Sequence, residues 1–138
     1  MAADLREILE TTKVIALVGY SANPGRPSNM VARFLQAKGY RVIPVNPGLA
    51  GQEALGEVVR ASLADIPPEI PVDMVDIFRA SEHVPEVVDA ALAHLPALRV
   101  IWMQLGVIHE AAAEKARAAG KTVVMDRCPK IEYARLIG

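Results

Sequence analysis

The run Val14-Ile15-Ala16-Leu17-Val18 contains no polar side chain and shows no alternation of apolar and polar residues. A strand of that kind has both faces buried, which places it inside a parallel sheet with helices on each side. Four more short apolar runs follow at Val42–Val45, Val72–Phe78, Val100–Met103 and Thr122–Met125, each closed by a polar or Gly/Pro break. Their spacing is close to the ~30 residues of a βαβ unit. Helical patterns fill the intervals. Met30, Val31, Phe34 and Leu35 share one helical face, and Gly39 is placed to end that helix. Val84, Val87, Val88, Ala91, Leu92 and Leu95 recur at helical spacing, with Ser81 as the expected N-cap and Pro85 near the start. Glu110–Ala119 is Ala-rich, pairs Glu114 with Arg117 three residues on, and stops at Gly120. Short helices are expected at Asp4–Glu10 and Ile131–Leu136. The stretch Gly48–Pro71 is the least periodic, and reads as a loop with a weak helix near Glu57–Leu63. Alternating strands and helices predict a single α/β domain, a Rossmann-like doubly wound parallel sheet of about five strands with helices on both faces.

At 138 residues there is room for one core, and 52% hydrophobic content can build it without metal or disulfide. One cysteine, Cys128, excludes an internal disulfide and points to a reducing compartment. No signal peptide and no long apolar span stand out, so a cytoplasmic location is expected. A net charge of −1 gives no general attraction to nucleic acid or to membranes. An anionic ligand must then be held by local groups.

Doubly wound sheets bind ligands beyond the carboxyl ends of their strands. After the first run comes Gly19-Tyr20-Ser21-Ala22-Asn23-Pro24-Gly25-Arg26-Pro27-Ser28, then a helix. Gly19 permits a tight turn, the helix start offers N–H groups and a positive dipole end, and Ser21, Asn23, Ser28 and Arg26 can all donate to phosphate oxygens. The alternative is a helix-capping turn with Arg26 as a surface residue. Positions 21 and 24 are Ser and Pro, not the glycines of a dinucleotide fingerprint, and the second run ends Val45-Asn46-Pro47-Gly48 without a carboxylate for a ribose. NAD is therefore disfavoured. No Lys-Ser/Thr pair completes a P-loop, which argues against ATP hydrolysis.

Six blocks carry a resemblance. They are Val14–Ser28, Arg41–Pro47, Ser62–Pro67, Val75–Arg79, Trp102–Gly106 and Met125–Cys128. Together they resemble the stand-alone CoA-binding domain proteins, which are similar to the CoA-binding domain of the succinyl-CoA synthetase alpha subunit. The likeness runs from about Asp4 to the end. It implies a Rossmann-like domain that binds coenzyme A or an acyl-CoA through its ADP moiety at the carboxyl edge of the sheet. Gly19, Ser21, Asn23, Arg26 and Ser28, with Tyr20 and Pro27 in the same loop, would surround the pyrophosphate. Asn46 and Pro47 would border the adenosine, and Phe78, Arg79, Gln104 and Gly106 would line the remaining wall. The synthetases use a second domain for their chemistry, which is absent here, so no catalysis is expected of this chain.

Several residues admit two readings. Arg26, Arg79, Arg127 and Lys130 all follow strands and can form a positive rim, or each can be an ordinary surface cation. The Asn46 amide can meet adenine or ribose, or cap its own turn. Gln104 can contact ligand or bond to loop backbone. Trp102 is read as core. Cys128 is read as a small semi-buried residue, against an acidified thiol beside Arg127 that pairs with CoA as a mixed disulfide. His83, His94 and His109 are dispersed without metal spacing, and His109 is placed to cap a helix. Glu53 and Glu57 are read as solvated. An acyl-CoA hydrolase or a subunit of an acyl-CoA ligase is the alternative, and it would need a nucleophile from among Cys128 and the histidines. A redox-nucleotide repressor would need a DNA-binding domain for which the chain has neither length nor charge. A protein partner is left open.

Overall fold

A computed structural model describes residues 4–138. Five parallel strands form the sheet: β1 (Val14–Val18), β2 (Arg41–Val45), β5 (Met74–Ile77), β6 (Val100–Met103) and β7 (Thr122–Val124). They lie in the order β2-β1-β5-β6-β7. The chain runs outward from β1 to β2, then crosses back beyond β1 to build β5, β6 and β7. The direction of winding thus reverses between β1 and β5, and that is where a doubly wound sheet opens a crevice. All five side chains of β1 are buried, as their uninterrupted apolar run requires.

Two apolar layers cover the sheet. On one face, α3 (Val84–His94) and α4 (Glu110–Ala118) pack Val84, Val87, Val88, Ala91, Ala112, Ala113 and Ala116 against Ala16, Ile43, Val75, Ile77, Ile101 and Met103. On the other, α1 (Leu5–Thr11), α2 (Pro27–Ala37) and α5 (Pro129–Leu136) cover Ile15, Leu17, Val42, Met74 and Trp102. Alternate residues along each strand feed alternate layers, which is the two-residue period of a pleated strand. Trp102 is fully buried, and its indole N–H donates to the Arg127 carbonyl at 2.8 Å.

The helix ends follow the sequence signals with one exception. Gly39 (φ +103°) and Gly120 (φ +83°) terminate α2 and α4 in the left-handed region. The Arg117–Glu114 pair forms at 2.9 Å. Ser81 does not cap α3. It opens a 3₁₀ turn, Ser81–His83, before that helix, and its hydroxyl accepts from the Ile108 amide at 3.0 Å. The hydroxyl therefore ties the loop after β5 to the loop after β6.

The segment 48–71 also departs from expectation. Instead of a helix near Glu57–Leu63, β3 (Glu53–Ala54) and β4 (Glu57–Val58) form an antiparallel hairpin. Leu55 (φ +57°) and Gly56 (φ +73°) make its turn, a conformation no right-handed helix accommodates. Glu57 is not solvated: it holds the Arg41 guanidinium through two bonds of 2.8 and 3.1 Å, locking the hairpin to β2. Past the hairpin the chain lies alongside β2 as a single parallel bridge, Val45 to Arg60. A 3₁₀ turn, Leu63–Asp65, then leads toward β5. No helix among the described residues is long and apolar enough to cross a membrane.

Candidate functional site

A cavity of about 500 Å³ opens at the carboxyl ends of β1 and β2, within the usual size range of ligand pockets. Val18 and Gly19 form its floor, Val45, Asn46 and Pro47 one wall, and Ala61, Ser62 and Leu63 the outer side. Arg79 closes it beyond β5, and Glu86, Val87 and Ala90 of α3 form the opposite wall. The lining is largely aliphatic, with a few polar groups at the rim. That balance is usual for a small-molecule site.

Gly19 is the keystone of this geometry. Its backbone has φ +91°, and a Cβ placed there would stand 2.2 Å from the Phe78 carbonyl oxygen. The end of β1 and the end of β5 can approach this closely only because position 19 has no side chain. The Gly19 and Tyr20 amides both donate to the Val45 carbonyl, at 3.0 and 3.2 Å. These two N–H groups therefore hold the switch point together and are not free for an anion.

The loop that follows is braced from within. Ser21 Oγ accepts from the Asn23 amide at 3.1 Å, and Asn23 Oδ1 accepts from the Gly25 amide at 2.9 Å. The buried Asn29 donates to the Ser21 carbonyl at 2.9 Å and to the Tyr20 hydroxyl at 3.2 Å. Its Oδ1 in turn accepts from Arg33 Nε at 2.7 Å, while Arg33 also reaches the Pro24 carbonyl at 3.3 Å. Neither Asn29 nor Arg33 stands out in the sequence, since both fall on an ordinary amphipathic helix. Replacing Asn29 with Ala should cost about 1–3 kcal/mol by leaving a buried hydroxyl and carbonyl without a donor. Hydrogen exchange should then show the Ser21–Gly25 amides opening faster than those of β1.

Of the residues singled out from the sequence, Gly19, Asn46, Pro47 and Arg79 line the cavity. The others lie outside its lining. Tyr20 is buried in the layer beneath α2, so its ring is turned into the core. Ser28 is buried in the first turn of α2, behind Pro27 at its start. Arg26 is exposed at the N-cap of the same helix, with no side-chain capping bond. Phe78 is half-buried and donates its amide to the Val18 carbonyl at 2.8 Å. Gly106 donates its amide to Asp126 Oδ1 at 2.7 Å, which fixes the loop after β6. Asn46 resolves toward the turn-capping alternative: its Nδ2 donates to the Tyr20 carbonyl and its Oδ1 accepts from the Gly48 amide, both at 2.7 Å. It joins the loop after β1 to the turn after β2 while remaining in the cavity wall.

The four-cation rim divides in two. Arg127 stands 3.8 Å from Glu132, and Lys130 lies over the Phe34 ring at 5.7 Å, both on the α2/α5 side. Arg26 and Arg79 have no carboxylate partner among the described residues. His109 caps α4, its Nδ1 accepting from the Ala112 amide at 3.1 Å. Cys128 is buried at the start of α5.

Two polar groups lie deeper than the sequence suggested. Asp76, in β5, is wholly buried between its register neighbours Leu17 and Trp102. Neither carboxylate oxygen has a partner among the described residues, and burial pushes its pKa well above the usual carboxylate range. Gln104, just past β6, is also buried, with its Oε1 unpartnered. Ala61, Ser62, Leu63, Glu86, Val87 and Ala90 are cavity residues that sequence reasoning did not select. Ser62 and Leu63 fall in a block already noted for its resemblance, and that block was the available signal.

Known proteins match this chain along nearly its whole length. A profile of the CoA binding domain family covers residues 13–134. An uncharacterized protein of Bacillus subtilis, YneT, is 41% identical over 133 residues, spanning 96% of this chain and 93% of its own. A solved structure from Thermus thermophilus superposes with a TM-score of 0.90 at 38% identity, covering 97% of each chain. A dinucleotide-forming acetyl-coenzyme A synthetase from Ca. Korarchaeum cryptofilum, solved with phosphate and ADP, superposes with a TM-score of 0.68 over 86% of this chain and 27% of its own. At 21% identity, that last likeness concerns the fold. Taken with a profile match that spans every strand of the sheet, these relatives show that the chain belongs to the CoA binding domain family.

Proposed function

We propose that the protein binds coenzyme A or an acyl-CoA through its ADP portion at the carboxyl edge of the sheet, and performs no chemistry of its own. The observation that carries this reading is the cavity at the switch point, walled by aliphatic side chains and closed by Arg79. Adenine would lie between Pro47 and Leu63 on one side and Val87 and Ala90 on the other. The pyrophosphate would pass over Gly19 toward the amides at the start of α2, with Ser21, Asn23 and Arg26 as side-chain donors and Ser28 buried behind them in the first turn. Asn46 would shape the wall instead of reading the base, because both ends of its amide are already bonded to the chain. The pantetheine arm would leave past Phe78 and Arg79 toward Gln104 and Gly106.

Two of the groups that catalysis could draw on are engaged or enclosed. His109 uses Nδ1 to cap α4, and Cys128 is buried. An acyl-CoA hydrolase would show turnover that falls on His109→Ala or Cys128→Ala, read as release of free thiol. Titration calorimetry with CoA and NAD tests the binding role directly. CoA is expected to bind and NAD not to. Replacing Arg79 with Ala should weaken CoA about tenfold, the usual effect of losing one charged hydrogen bond. NAD binding without CoA binding would refute the proposal.

A further inference from the structure

Arg60 is an arginine without an acceptor. Its guanidinium makes no hydrogen bond and no ion pair among the described residues, and its Nε is fully enclosed with no partner. Neighbouring arginines differ: Arg41 is held by Glu57, and Arg33 by Asn29. A buried N–H that has lost water and found no acceptor is costly, and Arg cannot relieve the cost by losing its proton. Such a group calls for an anion from outside the chain.

The backbone says where that anion would be. Arg60 forms a parallel bridge with Val45, its amide donating to the Pro44 carbonyl and its carbonyl accepting from the Asn46 amide, both at 2.9 Å. Residues paired across a parallel bridge project to the same face. Val45 lines the cavity, and so does Ala61, the residue after Arg60. Arg60 is not itself a lining residue, but its backbone runs beside the cavity on the outermost flank, beyond the edge strand β2. Arg79 stands on the opposite flank, beyond β5, with the Gly19 turn between them. A ligand whose diphosphate crosses the Gly19 turn presents its adenosine to the β2 side. The phosphate it can offer to Arg60 is then one on the ribose, not the diphosphate.

We propose that Arg60 recognises the 3′-phosphate of coenzyme A and so makes the site selective for CoA over dephospho-CoA. The role rests on reading the cavity as the adenosine site. The planar guanidinium matches a phosphate monoester with two parallel hydrogen bonds, which a lysine would not reproduce.

Calorimetric titration of the unmodified protein with CoA and dephospho-CoA, repeated on Arg60→Gln, tests it. The unmodified protein should prefer CoA by about tenfold or more, and Arg60→Gln should lower CoA affinity by a similar factor while leaving dephospho-CoA within about twofold. A ratio that survives the substitution overturns the assignment, whether both affinities fall or neither does. Equal binding of the two ligands by the unmodified protein also overturns it, yet leaves the cavity as a CoA site. Binding of neither refutes the cavity reading itself. Should Arg60→Gln fail to fold by thermal melting, adenosine 3′,5′-bisphosphate against AMP on the unmodified protein puts the same question. A preference of about tenfold for the bisphosphate supports the role, and equal affinity ends it.

Discussion

Asp76→Asn is expected to stabilise the protein at neutral pH, by a margin that widens as the pH rises. The Asp76 carboxyl lies at zero exposure in the middle of the sheet, with neither oxygen bonded and no cation beside it among the described residues. Burial alone raises its pKa, so the folded state favours the protonated acid. In the unfolded chain the same group ionises near its ordinary value of 3.8. Above that value the folded state holds a proton that the unfolded state has released, and every further unit of pH favours unfolding. The loss amounts to about 1.4 kcal/mol per pH unit until the folded-state pKa is reached. The asparagine variant has nothing to titrate and escapes this dependence. Between about pH 5 and 7 the stability gap between the two proteins should therefore widen as the pH rises. Urea denaturation of both at several pH values measures it. A gap that stays constant over that range would mean the carboxyl is ionised or paired inside the fold.

The sheet was legible because buried strands announce themselves. Runs such as Val14–Val18 and Val100–Met103 contain nothing that could face water, and their positions match the observed strands. The glycines at 39 and 120 marked their helix ends because only a left-handed residue closes a helix that way. The loop after β1 was legible as a glycine turn leading into a helix start, but not in its internal wiring. Whether the Tyr20 ring points at a ligand or at the core depends on Asn29 and on the α2 packing, which are tertiary facts. Ser81 shows the same limit, since its hydroxyl answers an amide in a different loop and not its own helix. The hairpin at 53–58 was missed because Glu57-Val58-Val59 fits a strand or a helix, and what separates them is the left-handed turn at Leu55 and Gly56, with the Arg41–Glu57 pair joining the hairpin to β2. Arg60 lay inside that same irregular stretch. Its interest comes from what is missing around it, and a sequence cannot show a missing acceptor.

Gly19→Ala should be among the most damaging single substitutions in the chain, costing more than about 3 kcal/mol. Two separable effects add. An alanine at φ +91° carries the left-handed penalty of about 1–2 kcal/mol. Its Cβ would also stand 2.2 Å from the Phe78 carbonyl oxygen and 2.9 Å from the carbonyl carbon, which are backbone atoms that no rotamer change can move. Relief requires the end of β1 to withdraw from the end of β5, loosening the Phe78 amide's 2.8 Å bond to Val18 at the winding reversal. Gly39 supplies the control, since it has φ +103° but nothing within 4 Å of its virtual Cβ. Gly39→Ala should therefore show the conformational penalty alone, about 1–2 kcal/mol. The difference between the two variants by chemical denaturation isolates the crowding at the switch point. Equal losses would mean that β1 and β5 are not held at the observed separation. A larger loss at Gly19, joined to loss of CoA binding in whatever fraction still folds, would tie the close approach of two backbones to the site built on it.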